Sequence, residues 1–183
     1  MEALELLLTR TSQARLVEPA PSGEALNNIL NAGLRAPDHA NLSPFRFIVC
    51  QNDGRQKLAD IYTKAALASK MEPSKVEKAK TMAYRAPMVI VAICEYKPHD
   101  KVPRIEQIAT TACAIQNMQM AAFAQGFNGM WRTGSFASNE LVRDAFNLKG
   151  EDEIVGFLYL GTPSSATPIK RQKAIDDYVE VWN

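Results

Sequence analysis

A chain of 183 residues with 46% hydrophobic content and a formal net charge of +1 can fill one compact domain with a sizeable core, which excludes the disordered and fibrous classes. Its basic residues are spread along the chain, so nothing points to nucleic acid or a membrane surface, and the expected partners are small molecules or protein. Three cysteines, Cys50, Cys94 and Cys113, lie in apolar contexts without C-x-x-C spacing. Neither a disulfide framework nor a zinc site follows; a reducing cytoplasm fits, and Met1 to Arg10 lack the pattern of a signal peptide.

In chain order, Ala3 to Leu8 are good helix formers, and Ser22 is placed to cap a second helix over Gly23 to Ala32. Phe45 to Cys50 reads as a strand, followed by the turn Asn52-Asp53-Gly54 and a helix from about Gln56 to Ala68. Pro73 suits the first turn of a lysine-rich helix ending near Met82. Pro87 to Cys94 is a continuous apolar run of β-branched character, expected as a central strand buried on both faces. The longest uncharged stretch, Gln107 to Trp131, has 25 residues, enough for a membrane span. It also holds Gln107, Thr110, Thr111, Gln116, Asn117, Gln119 and Gln125, each needing an internal partner, so a helix buried in the protein or at a subunit interface is expected instead. That helix starts at Pro103 and ends around Gly126, and Phe127 to Gly134 then reads F-N-G-M-W-R-T-G. Ser138 should cap a short helix, and Ile154 to Leu160 forms another buried strand. The pattern Tyr178-Val179-Glu180-Val181-Trp182 is strand-like and could pair with an exposed sheet edge, that of a second subunit included. Strands separated by helices give two or three layers around a sheet of about four strands.

The chain has no G-x-G-x-x-G after a strand, no P-loop and no G-x-S-x-G, and its only histidines are His39 and His99. Binding chemistry without a metal remains. The segment Leu34 to Val49 sets four polar side chains, Asp38, His39, Asn41 and Ser43, between Pro37 and Pro44 just ahead of a strand, which makes a stiff loop suited to holding a ligand. Three clusters put a guanidinium beside small hydroxyls: Arg10-Thr11-Ser12, Arg35 near Ser43, and Arg132-Thr133. Arginine's planar fork with neighbouring hydroxyls matches a phosphate. Taken singly, such arginines are more often solvated or in structural ion pairs, His39 is as well explained by a backbone bond, and Trp131 is by default a core or interface aromatic.

Taken together, four blocks resemble the flavin-dependent nitroreductase family: R-T-S at Arg10 to Ser12, A-P-D-H-A-N-L-S-P-F at Ala36 to Phe45, N-M-Q-M-A-A-F-A-Q-G-F-N-G-M-W-R-T-G at Asn117 to Gly134, and I-V-G-F-L-Y-L-G-T-P at Ile154 to Pro163. The match covers nearly the whole chain and looks closest to a short bacterial subgroup. It implies an α+β, nitroreductase-like fold: a mainly antiparallel four-stranded sheet flanked by helices, with the C-terminal strand reaching the partner's sheet. It also implies a homodimer with FMN at the subunit interface. By that likeness Arg10, Thr11 and Ser12 hold the FMN phosphate and ribityl chain, and Arg35, Pro37, Asp38 and His39 contact the flavin, the Pro37 to His39 loop arriving from the other subunit. Trp131, Arg132 and Thr133 line the cofactor site, while Ala121, Ala122, Phe123, Ala124, Gln125 and Gly126 match the segment associated with NAD(P)H.

The activity so implied is hydride transfer from NAD(P)H through FMN to nitroaromatic or quinone-like acceptors by a ping-pong sequence, the flavin supplying the redox chemistry. Thr11 stands where many relatives carry a second basic residue, and the tail cations Lys170, Arg171 and Lys173 are left without a role. The chain is short for the family, so an open, permissive site is expected. The rival reading is a flavin-binding protein for storage or sensing with little turnover.

Overall fold

Seven consecutive apolar residues, Met88–Cys94, organise the sheet. The structure is a computed structural model, and it describes residues 2–166 and 173–182. Its helices are α1 (Ala3–Thr9), α2 (Gly23–Gly33), α3 (Asp53–Ala68), α4 (Pro73–Met82), α5 (Arg104–Ala124) and α6 (Glu140–Ala145). Its strands are β1 (Leu16–Val17), β2 (Phe45–Gln51), β3 (Met88–Cys94), β4 (Asn128–Arg132) and β5 (Glu153–Pro163). All of β3 is buried. It lies between β2, in register Phe45↔Cys94, and β5, in register Met88↔Leu160. The other edge of β5 is shared by β4, from Asn128↔Gly161 to Arg132↔Phe157, and by β1 at Leu16↔Pro163. Every pairing is antiparallel, as expected for the α+β class.

Side chains alternate across a strand, so β3 feeds two cores. Val89, Val91 and Ile93 pack with Leu58, Tyr62 and Ala65 of α3 and with Val142 of α6. Met88, Ile90 and Ala92 pack with Ile29 of α2 and with Ile115 and Met118 of α5. The sheet is therefore the middle of three layers. Helix α5 is buried along one side, and several of its polar residues have partners there. Gln107 accepts from Lys97 N at 2.9 Å and donates to Lys97 O at 2.8 Å, and Asn117 donates to Ala32 O at 3.2 Å. Among the described residues no helix is long and apolar enough to cross a membrane.

The structure corrects the sequence reading in three places. The sheet has five strands among the described residues, because Phe127 to Gly134 contains β4 and Leu16–Val17 forms β1. Conversely, Tyr178 to Trp182 form no strand in the single chain, where Tyr178, Val179, Val181 and Trp182 stand exposed. The outer edge of β5 is taken by β4 and β1, and the open edge of β2 is not paired by these residues. The cap of α6 is Asn139 rather than Ser138, its side-chain oxygen accepting from Leu141 N at 3.0 Å and Val142 N at 3.3 Å. Ser22 does precede α2, but only its carbonyl serves the helix, accepting from Ala25 N at 3.1 Å and Leu26 N at 3.4 Å.

One irregularity positions a site residue. Opposite β3 the register passes from Ala92↔Gly156 to Ile93↔Ile154, so Val155 is an extra residue, a β-bulge. Trp131 lies over that bulge and donates from Nε1 to Val155 O at 3.3 Å. The fit requires glycine at 156, since a Cβ there would sit 2.0 Å from Trp131 Nε1. Gly156→Ala should therefore cost about 1–3 kcal/mol through overpacking, read as a lower midpoint in urea denaturation.

Candidate functional site

After α1 the chain leaves the helix at Arg10 and runs extended towards β1. Side-chain bonds pin this limb to α5 and β4. Arg10 Nη1 donates to Ser12 Oγ at 3.3 Å, and the buried Gln119 donates from Nε2 both to Ser12 Oγ at 3.1 Å and to Gly129 O at 2.9 Å. Gln13 N also donates to Gly129 O, at 3.3 Å. Thr11 is only 3% exposed, and its hydroxyl has no hydrogen-bond partner. A buried, unpaired hydroxyl costs about 1–3 kcal/mol, so this atom is one that a ligand can complete.

The proline-braced loop lies elsewhere. Arg35 and Pro37 are exposed just beyond α2. The turn His39–Asn41 places Ala40 at φ 59° and Asn41 at φ 54°, with Ser43 following at φ 48°. Left-handed conformations at non-glycine residues cost energy and persist only where neighbours impose them. Here the neighbours are polar: Asp38 Oδ2 accepts from Ser43 N at 2.6 Å, and His39 Nδ1 lies 2.6 Å from Glu106 Oε2. A carboxylate only accepts, so the hydrogen is on Nδ1 and the Nε2 edge of His39 is left free. Glu106 is in the first turn of α5 and Gln119 is thirteen residues later, about 20 Å along the helix axis. One chain therefore holds the Pro37 to His39 loop and the Arg10 to Ser12 limb well apart.

At β4 consecutive residues diverge. Trp131 faces the α2–α5 side, while Arg132 stacks over the Tyr159 ring on the α3–α4 side, its Cζ 5.6 Å from the ring centroid. Arg132 Nη2 donates to Ala14 O at 3.4 Å, and its buried Nε has no partner. Burial, then the charge of Arg85, pushes the Arg132 pKa below its ordinary value, while burial pushes the Tyr159 phenol up. Arg132 opens on a cavity of about 620 Å³ whose lining also includes Arg15, Tyr84 and Arg85 and, among the described residues, no carboxylate. The exposed Thr133 lines a neighbouring cavity of about 190 Å³ with Lys75 and Lys78 of α4.

The segment Ala121 to Gly126 ends α5, with Ala122 buried, Ala121 and Phe123 half-buried, and Ala124, Gln125 and Gly126 exposed. Gln125 Nε2 donates to Ala121 O at 2.9 Å and to Ala25 O at 3.3 Å, so this end is fastened to α2. The structure thus brings Arg10, Thr11 and Ser12 together beside β4. Trp131 is divided from Arg132 by the plane of the sheet, and Arg35, Pro37, Asp38 and His39 lie at the other end of α5. Lys170 and Arg171 lie outside the described residues. Sequence reading missed Gln119, Glu106, Gly156, Arg15 and Arg85. The first three carry no local motif, whereas Arg15 repeats the guanidinium signal of Arg10 five residues on.

The class defined here is a three-layer α+β fold with cations and small hydroxyls gathered at one sheet edge. The chain belongs to the nitroreductase family, whose model matches residues 8–162. It is 47% identical over 163 residues to the Escherichia coli K12 protein named "Putative NAD(P)H nitroreductase YdjA", with 89% of each chain covered. In fold it resembles the nitroreductase-like family protein from Bacillus cereus, with a TM-score of 0.86, 24% identity and coverage of 100% of this chain and 96% of that one. It is also similar in fold to the Desulfovibrio desulfuricans protein described as "a putative nitroreductase in complex with fmn", with a TM-score of 0.74, 22% identity and coverage of 97% of this chain and 95% of that one.

Gln119 is the bond that joins α5, β4 and the Arg10 to Ser12 limb. Gln119→Ala should lower unfolding stability by about 1–3 kcal/mol, the range for losing a buried hydrogen-bonded group, as measured by chemical denaturation.

Proposed function

We propose that this protein is an FMN-dependent oxidoreductase that takes hydride from NAD(P)H and reduces nitroaromatic or quinone-like acceptors by a ping-pong sequence. The observation that carries the reading is the polar limb at the sheet edge, in a chain of the nitroreductase family. There Arg10 and Ser12 are held in place by Gln119, while buried Thr11 Oγ1 and Arg132 Nε have no protein partner. These residues fit FMN. A guanidinium with two small hydroxyls suits its dianionic phosphate, charge-assisted bonds of this kind being about twice as strong as neutral ones. When bound, FMN accepts hydride from the nicotinamide and passes electrons to the acceptor. The chain's own residues bind and orient: Arg10, Thr11 and Ser12 at the phosphate and ribityl chain, and Arg132 and Thr133 at the ring. Ala121 to Gly126 offer an uncharged surface for the nicotinamide.

The loop with Arg35, Pro37, Asp38 and His39 enters the reading through a second subunit. Within one chain it is about 20 Å along α5 from the limb, so a homodimer with FMN at the interface lets it contact the cofactor held by the partner. The apolar residues Tyr178, Val179, Val181 and Trp182, exposed in the single chain, then pack on the other subunit. Three free cysteines, two of them buried, suit the reducing cytoplasm, where we place the protein.

Two measurements test this reading. Purified protein should take up FMN, and NADH or NADPH should bleach the bound flavin within the turnover time; protein that stays colourless with FMN sinks the reading, and bound flavin that the nicotinamides leave oxidised supports storage or sensing instead. Deletion of Tyr178 to Asn183 should shift sedimentation from dimer towards monomer; an unchanged dimer would assign the tail to its own chain.

A further inference from the structure

The cavity of about 190 Å³ between α4 and the loop after β4 has two unlike walls. On α4, Lys75, Lys78 and Met82 stand three and four residues apart and so share one face of the helix. Met71 extends that wall from the end of α3, where its N–H donates to Ala66 O at 3.1 Å. The opposite wall is the turn from Thr133 to Phe136, in which Gly134 takes φ 100° and its carbonyl accepts from Ala137 N at 3.0 Å. Phe136 is buried and stacks on Tyr62 of α3, the ring centroids 4.7 Å apart, so this wall is anchored in the core.

Among the described residues neither Lys75 nor Lys78 makes an ion pair and no carboxylate lines the cavity, whereas Lys80, off this face, pairs with Glu77 at 2.6 Å. Two ammonium groups beside two thioethers and a phenyl ring suit one ligand chemistry. The methionines and Phe136 pack on an aromatic ring, and the lysines attract an anionic group carried by that ring. Size narrows the choice further: pockets for drug-sized ligands run to about 300–1,000 Å³, so this cavity holds one substituted ring rather than a dinucleotide. Its place fits an electron acceptor. Thr133 lines it directly after Arg132, and Lys78 and Met82 reach it from the same stretch of α4 whose Thr81 lines the arginine cavity. A ring bound here is next to the flavin position assigned above to Arg132 and Thr133.

We propose that this cavity selects the electron acceptor, and that it favours nitroaromatics bearing a carboxylate or similar anionic group, whose charge meets Lys75 and Lys78 while the ring packs on Met71, Met82 and Phe136. The proposal rests on the FMN reading above and names the substrate class of that same site. In the reaction the nitro group takes two electrons and two protons and becomes nitroso plus water. The hydride of NAD(P)H, passed through FMN, and one proton from solvent supply them. The anionic group is unchanged and serves only to bind, so Lys75 and Lys78 set specificity and take no part in the electron transfer.

The test isolates the acceptor step. Holoenzyme photoreduced without oxygen is mixed by stopped flow with 4-nitrobenzoate or 4-nitrobenzamide, and the return of the flavin colour is followed. Wild type should be reoxidised about tenfold faster by the carboxylate, the order expected of one charge-assisted contact, and added salt should shrink that preference. The double variant Lys75→Gln/Lys78→Gln should lose the preference and keep its rate with the amide. Both lysines are exposed, so the variant should fold as wild type does. Calorimetric titration of the oxidised holoenzyme with benzoate should show binding about tenfold weaker in the double variant, by the same contact. Equal rates for the two acceptors in wild type, or a preference that survives in the double variant, overturn the proposal. So does a double variant whose only loss is slower bleaching by NADH or NADPH, which would assign the lysines to the phosphates of the nicotinamide. Flavin that neither nicotinamide bleaches would refute the functional reading and the acceptor role with it, a result distinct from a bleached flavin without carboxylate preference.

Discussion

The antiparallel ladder along the outer edge of β5 carries the candidate site. Strand β5 has 11 residues, enough to pair with β3 along one edge and with both β4 and β1 along the other. The two short strands have few bonds of their own and are ordered by that template. Through them β5 sets where Arg132 points, where the limb from Arg10 to Leu16 runs and where Trp131 sits. The bulge at Val155 adds one more condition, because it turns Gly156 towards the indole and leaves room for no side chain there.

Charge has a different distribution from the one that composition describes. The chain is nearly neutral overall, yet Arg10, Arg15, Arg85 and Arg132 gather around one edge, with Lys75 and Lys78 across α4. Elsewhere arginines are paired: Arg46 with Glu95, and Arg104 with Glu153. Exposed pairs of that kind contribute at most about 1 kcal/mol each, so the contrast concerns specificity rather than stability. Among the described residues the cations at that edge have no carboxylate partner, and they stand beside the buried, unpaired Thr11 Oγ1 and Arg132 Nε, which is the arrangement the proposed anion site rests on.

Helix α5 gives the molecule its length scale. It fastens the Pro37 to His39 loop at its first turn through Glu106 and the N-terminal limb thirteen residues later through Gln119. A rigid helix cannot bring those two fixtures together, so a site needing both must be assembled from two chains. The same helix buries Gln107, Thr111 and Gln119, and their internal bonds tie it to the loops that carry the candidate residues.

Much of this was legible in the sequence. The apolar run ending at Cys94 marked the middle of the sheet, because seven consecutive apolar residues of β-branched character, opened by a proline, suit a short strand covered on both faces. The amides of α5 marked a buried helix, and four ordered blocks marked the family and the Arg10 to Ser12 limb. What stayed hidden depends on contacts between residues distant in the chain. The strand at Asn128 to Arg132 exists because β5 offers it an edge, while Tyr178 to Trp182, with the better alternating pattern, pairs with no strand of its own chain among the described residues. Gln119 reads as one more polar residue until it is seen 3.1 Å from Ser12, and Arg85 as a solvated cation until the fold sets it across a cavity from Arg15 and Arg132. The sequence by itself determined the α+β class, the family and the residues whose chemistry suits a phosphate, since periodicity and residue chemistry are local. Only the tertiary structure decided which cations share a cavity and which candidates one chain keeps apart, because strand pairing and helix length set distances that no local pattern encodes.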